Sequence, residues 1–252
     1  MLDTTKASEA ASTMVVAASH RLQPYRFIHK ALRALMFRTL QEVATLDAAQ
    51  ITQRAEMLAA VDELLRVCTD HLTHENSFMH APLRERALRS VLAFDDDHQD
   101  HERSIAALRT RMQQVAEGGS RVRAVAYALY LDLSRFVGEN LEHMADEETR
   151  LTQALWQHFS DAEIAAIEGR LQASMGPEEG AYYLRWMARS LDDAELGAMV
   201  RQARAGMPPE AFAGFVDTIT AELPVPRAHM LVRGWDVSVA HDPVNAPVGV
   251  RA

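Results

Sequence analysis

The sequence predicts an all-α protein, an up-down four-helix bundle with a C-terminal helical extension. Two observations carry that reading. Apolar residues recur at helical spacing along four long stretches, and no run of alternating polar and apolar residues bounded by turn residues is present to form a sheet. At 252 residues, 48% of them hydrophobic and 24% charged, the chain is long enough for one sizeable core and has the composition of an ordinary globular protein.

The elements follow in order. From Pro24, suited to a first helical turn, PYRFIHKALRALMFRTLQEV sets Phe27, Ile28, Ala31, Leu32, Leu35 and Leu40 near one stripe, with His29 beside it. Asp47 is the expected N-cap of a long second helix, ITQRAEMLAAVDELLRVCTDHLTHENSFMHA, which should stop around Pro82. A third runs through FDDDHQDHERSIAALRTRMQQVAE and ends at Gly118-Gly119, where glycine adopts a left-handed cap at little cost. A fourth extends from about Arg121 to His158.

Beyond it the helices shorten. Ser160 with Glu163 and Asp192 with Glu195 are capping-box pairs, and Pro177 and Pro208-Pro209 begin further segments. From Pro224 the periodicity weakens and an irregular tail is expected. The division predicted is 1–19 as a loosely ordered N-terminal segment, 20–158 as the bundle, 159–223 as a helical appendage and 224–252 as the tail.

Charge and cysteine usage narrow the function classes. A formal net charge of −9 argues against a nucleic-acid footprint, which wants a basic stripe. No run has membrane-spanning length, and the N-terminus carries Asp3 where a signal peptide wants positive charge. With the single cysteine, Cys68, this fits a reducing, cytoplasmic setting; Cys68 itself reads as a small apolar filler. Phosphate-binding glycine loops, a nucleophile elbow, the HExxH zinc motif and cysteine pairs are all missing.

The chemistry sits in an internal repeat. His71 with Glu75 (HLTHE) and His143 with Glu147 (HMADE) are both H-x-x-x-E pairs, 72 residues apart, and His29 and His101 are separated by the same 72. Each half thus reads as a lone histidine followed 42 residues later by a His-Glu pair. On an α-helix, residues i and i+4 lie one turn apart on one face, so each pair presents an imidazole and a carboxylate to one point. Two such helices facing each other can hold two metal ions: imidazole suits iron, zinc, copper and nickel, and a carboxylate can bridge neighbouring ions. His29, His71, Glu75, His101, His143 and Glu147 are therefore the candidate metal ligands.

The stretches FIHKALRAL, HLTHENSFMHAPL, DHERSIAAL and ENLEHMADEE resemble the four helices of hemerythrins, and over roughly residues 20–158 the chain resembles the hemerythrin-like, HHE cation-binding proteins. The resemblance implies a non-haem di-iron site, with an oxo or hydroxo bridge between the ions, and places the family's ligands on the same six residues. Two departures matter. The family's oxygen carriers have a second histidine four residues before the one at His101, where this chain has Asp97; their fourth helix has H-x-x-x-x-D, where this chain has Glu148. The paired H-x-x-x-E pattern is closer to the branch that senses or handles iron, oxygen or nitric oxide. Asp97, Glu148, His98 and Tyr25, the last one turn before His29, rank as further ligands or as partners of ligands.

Other histidines read more blandly. His74 and His80 are expected to be solvated or outside the ligand set, and His20, His158, His229 and His241 have no partner at ligand spacing. The leading function is a protein that binds or senses oxygen, peroxide, nitric oxide or iron at a carboxylate-bridged dinuclear centre, a ligand-binding protein more than a catalyst. The alternatives are a di-iron redox enzyme, such as a ferroxidase, a peroxide reductase or an iron donor for iron-sulfur repair, and a metal-free interaction module. The C-terminal helices are the candidate surface for a homodimer or a protein partner.

Overall fold

The structure is a computed structural model and describes residues 21–235. The expected loose N-terminal segment and the end of the tail lie outside the described residues. Among the described residues every regular element is helical. In the first compact unit, which runs to Ser174, α1 spans Arg26–Thr45 and α2 spans Ile51–His74. A π-helical turn, Glu75–His80, continues α2 directly into α3, Ala81–Glu117. Then come α4, Val122–Asp146, a second π-helical turn, Glu147–Leu151, and α5, Thr152–His158, with α6 at Asp161–Ser174.

The packing order matches an up-down bundle: α1 lies against α2 and α4, α2 against α3, and α3 against α4. The stripes read from the sequence are the buried faces. Leu32, Leu35 and Met36 from α1, Leu64 and Leu65 from α2, Leu108 from α3 and Leu129, Leu133 and Phe136 from α4 are all essentially inaccessible. At the end of the bundle a second apolar cluster gathers Tyr25, Met79, Leu83, Phe94, Leu151 and Phe159 with α6 residues Ile164 and Ile167. Arg21 ties the chain before α1 to this end, donating to the carbonyls of Trp156 at 2.6 Å and Phe159 at 2.8 Å and to Asp161 at 2.9 Å.

Three boundaries differ from expectation, each for a local reason. Asp47 does not cap α2; its carboxylate accepts from the Ala49 amide and from Arg123, and the N-cap position falls to Gln50. The helix passes through Pro82 instead of stopping. In a regular α-helix that ring would clash with the carbonyl of Phe78, four residues earlier, but Phe78 lies in the wide π turn. The break falls at Ala87, whose φ of −145° and ψ of 47° are not helical, so the third long helix begins just after it. Gly118 and Gly119, with φ of 72° and 88°, end that helix as expected.

The second unit begins at Met175. It contains α7 (Pro177–Ser190), α8 (Asp193–Gly206), α9 (Pro209–Ala221) and α10 (Val225–Trp235) around Trp186, Leu196, Val200, Val216 and Ile219. Both expected capping boxes form, at Ser160 with Glu163 in the first unit and at Asp192 with Glu195 in the second. Helix α10 occupies part of what the sequence predicted as irregular tail: it buries only Ala228 and Leu231, too few anchors to register as a stripe. Among the described residues no helix is long and apolar enough to cross a membrane.

Candidate metal centre

Two buried carboxylates form the middle of the bundle's polar interior. Glu75 and Glu147 each begin a π-helical turn, so both follow a complete α-helix that carries a histidine one turn earlier. Their oxygens meet a shell of imidazole Nε2 atoms. Glu75 Oε1 lies 3.1 Å from His71 and 3.4 Å from His29, and its Oε2 lies 3.6 Å from His98. Glu147 Oε2 lies 3.4 Å from His29, while its Oε1 lies 3.3 Å from His143 and 3.7 Å from both His98 and His80. Five imidazoles thus turn the same ring nitrogen toward two carboxylates.

The far side of four of those rings explains the orientation. Nδ1 of His29 donates to Glu148 at 3.1 Å, Nδ1 of His80 to Asp95 at 3.0 Å, Nδ1 of His98 to the Asn76 side-chain oxygen at 2.9 Å, and Nδ1 of His143 to Asp97 at 3.4 Å. Two of the acceptors are themselves held by arginine, Glu148 by Arg33 at 2.5 Å and Asp95 by Arg84 through two bonds of 2.6 and 2.9 Å. An acceptor on Nδ1 makes that nitrogen the outward donor and turns Nε2 inward, which is how proteins orient metal-binding histidines.

The electrostatics follow from this packing. Burial opposes charge on His29, but its hydrogen bonds to Glu148 and Glu75 and the charge of Glu147 outweigh it and raise the ring to about 9. Burial and the charge of Glu147 both act to raise Glu75, yet His71 and His29 prevail and its carboxyl stays ionised far below the usual range. Burial likewise disfavours the charged form of Glu147, and His143, His80 and His98 reverse that effect. Tyr25, stacked on His29 with ring centroids 5.3 Å apart, is held well above its ordinary value by burial and by the two carboxylates, so its phenol keeps its proton.

The residues singled out in the sequence distribute unevenly. His29, His71, Glu75 and Glu147 bring one donor atom each within 4.8 Å of one another, and so do Glu75, His98, His143 and Glu147. His80 belongs to neither group, and neither does His101. Its ring stands against His143 at 4.8 Å and against Phe136, and burial, with the nearby His143 and His98, lowers it to about 4. His98, three residues earlier, faces the carboxylates instead. A fixed offset of 72 residues carries no helical phase across a π turn and the break at Ala87, both of which lie between Glu75 and this helix. Asp97 and Glu148 stand in the outer ring as the Nδ1 partners of His143 and His29.

His80 is the residue sequence reasoning passed over. Five positions after Glu75, it would lie about 140° around an ideal α-helix from that carboxylate. The wider i→i+5 turn over Glu75–His80 reduces that angle and brings His80 to Glu147, fully buried and stacked on His98 with centroids 4.6 Å apart. A histidine directly after ENSFM in the H-x-x-x-E helix was the available signal.

The donor set fits metal ions. Nε2 of His71 and His80, Oε2 of Glu75 and both oxygens of Glu147 are buried without a hydrogen-bond partner, a concentration that native interiors avoid unless a cation supplies the missing contact. The Nε2 atoms of His98 and His143 lie 3.0 Å apart, and with both Nδ1 atoms donating outward their lone pairs need a shared proton or an ion beside them. Fold and site together define a helical-bundle protein whose buried His-Glu groups can hold metal.

The comparisons agree. Residues 23–155 match the hemerythrin HHE cation binding domain, and the chain belongs to that family. No curated protein and no solved structure matched the chain.

Proposed function

We propose that this protein is a non-haem di-iron protein whose buried centre binds or senses a small molecule, namely oxygen, peroxide or nitric oxide. The observation that carries this reading is the inward Nε2 of five histidines around two ionised, fully buried carboxylates. Glu75 and Glu147 belong to both groups of converging donors and would bridge the ions. His29 and His71 would hold one ion, and His98 and His143 the other; His98 takes the place first expected for His101. Iron held there supplies open coordination positions and a change of oxidation state.

The chain's own residues set what reaches the centre. Phe94 lies edge-on to His80 and His143, Phe136 edge-on to His101, and Tyr25 is stacked on His29, so aromatic rings wall part of the site. The glutamates and histidines of the site are nearly all buried, which favours a diatomic or peroxide over an organic substrate. The Tyr25 hydroxyl, buried and without a hydrogen-bond partner, keeps its proton, and we propose it as a donor to such a ligand.

Elemental analysis of the purified chain, with optical spectra taken anaerobically and after air or nitric oxide, tests the reading. About two irons per chain and near-ultraviolet bands that respond to the gas are the expected result. Stoichiometric zinc would remove the redox chemistry, and no metal after anaerobic iron loading would leave a metal-free helical interaction module.

A further inference from the structure

We infer that His80 is a metal ligand, a third imidazole for the ion held by His98 and His143, positioned by an Asp95–Arg84 pair. The inference rests on the metal-binding reading above and adds a residue that neither the internal repeat nor the H-x-x-x-E pattern contains.

Four observations converge on it. His80 is completely buried, and its Nε2 has no hydrogen-bond partner. That atom points to the same carboxylate oxygen, Glu147 Oε1, that faces Nε2 of His98 at an equal 3.7 Å and Nε2 of His143 at 3.3 Å. Its Nδ1 donates to Asp95, and Arg84 grips both oxygens of that aspartate. Finally, the ring is delivered by a π turn, a costly departure from the α-helix that recurs at functional sites. The arrangement repeats the one around His29, where Glu148 and Arg33 stand in the places of Asp95 and Arg84.

A histidine serving only the core would not need this support. An isolated buried imidazole loses a hydrogen bond at Nε2, a loss that a coordinating ion offsets. The carboxylate behind Nδ1 also makes Nε2 a stronger donor to a metal. One end of the centre is therefore supplied with three imidazoles and the other with two, so the two ions are not equivalent.

The test is metal titration of the full chain with cobalt(II), followed by its visible spectrum and by direct metal counting, for the wild type, His80→Ala and Asp95→Asn. Wild type is expected to bind two ions. His80→Ala should keep one with unchanged affinity and lose or severely weaken the other, with an altered cobalt spectrum. Asp95→Asn, at a partly exposed position, should weaken the same ion about 10–100-fold, the usual effect of removing an outer partner. Circular dichroism confirms that each variant is folded; should His80→Ala fail to fold, the Asp95→Asn titration decides. Two ions bound with wild-type affinity in either folded variant overturn the assignment of His80 while leaving the centre intact. A wild-type chain that takes up no ion overturns the centre itself and His80 with it.

Discussion

Replacing Glu147 with glutamine keeps its volume, removes its charge, and tests whether one carboxylate serves both ends of the centre. Its two oxygens face four imidazoles at 3.3–3.7 Å, and it belongs to both groups of converging donors. The substitution therefore takes one of four donor side chains from each group at once. An ion present at 100 times its dissociation constant stabilises the folded state by about 2.7 kcal/mol, so two contribute about 5 kcal/mol. In a domain of this size 1 kcal/mol moves the melting temperature by about 2–4 °C, which places the metal-dependent shift of the wild-type bundle at roughly 10–20 °C. Calorimetry of the full chain, with ferrous iron under anaerobic conditions and again with chelator, reads it for each variant against its own metal-free melt. In Glu147→Gln the shift should nearly vanish. A residual half would mean that Glu147 serves one ion only, and an undiminished shift would refute its role as a shared ligand.

Four further outcomes follow from the same structure. His29 is raised to about 9, and His80 and His143 are raised as well, because the carboxylates outweigh burial; metal loading must displace these protons, so affinity should climb between pH 7 and 9, and titrations that find it flat would contradict the assignment. By the same linkage, His29 stabilises the chelated protein fully below its ordinary 6.5 and loses that contribution as pH rises through about 9. Cys68 is buried and its thiol is pushed up to about 12, so in the native protein at pH 8 it should not react with a disulfide reagent, and unfolding should release one reactive thiol per chain. Burial raises Glu168 to about 7, which makes its ionised form a liability; Glu168→Gln should leave stability unchanged below pH 4.5 and improve it increasingly up to about pH 7, as read by urea unfolding midpoints.

What could be read from the sequence was what depends on a single helical turn. The 3.6-residue stripes located the bundle helices, and the H-x-x-x-E spacing brought His71 to Glu75 and His143 to Glu147, because i and i+4 remain neighbours whatever happens elsewhere in the chain. Whether a lone histidine on another helix faces the same point depends on that helix's rotation, and here the rotation is set by features with no clear sequence signature. The π turns contain neither glycine nor, within their own spans, proline, and the break at Ala87 occurs at a residue that favours helix. Hence His98 could not be told from His101 in the sequence. The outer partners Asp95, Asp97 and Glu148 are adjacent in sequence to other acidic groups, and only the fold distinguishes them.

The repeat also explains why the centre is lopsided. The 72-residue shift maps the first π turn onto the second, both starting at the glutamate, and maps His80 onto Thr152. In the second copy the Thr152 hydroxyl donates to the carbonyl of Glu147 at 2.9 Å, beside the Thr152 amide that the same carbonyl accepts, so the side chain at that place turns back on its own helix. In the first copy the equivalent residue is an imidazole turned toward Glu147. A duplicated pair of helices would by itself build two matching half-sites. With His80 as a ligand, the difference between a hydroxyl turned back on its own helix and a ring that reaches the carboxylates makes the two ends of the proposed centre chemically distinct, with three imidazoles at one and two at the other.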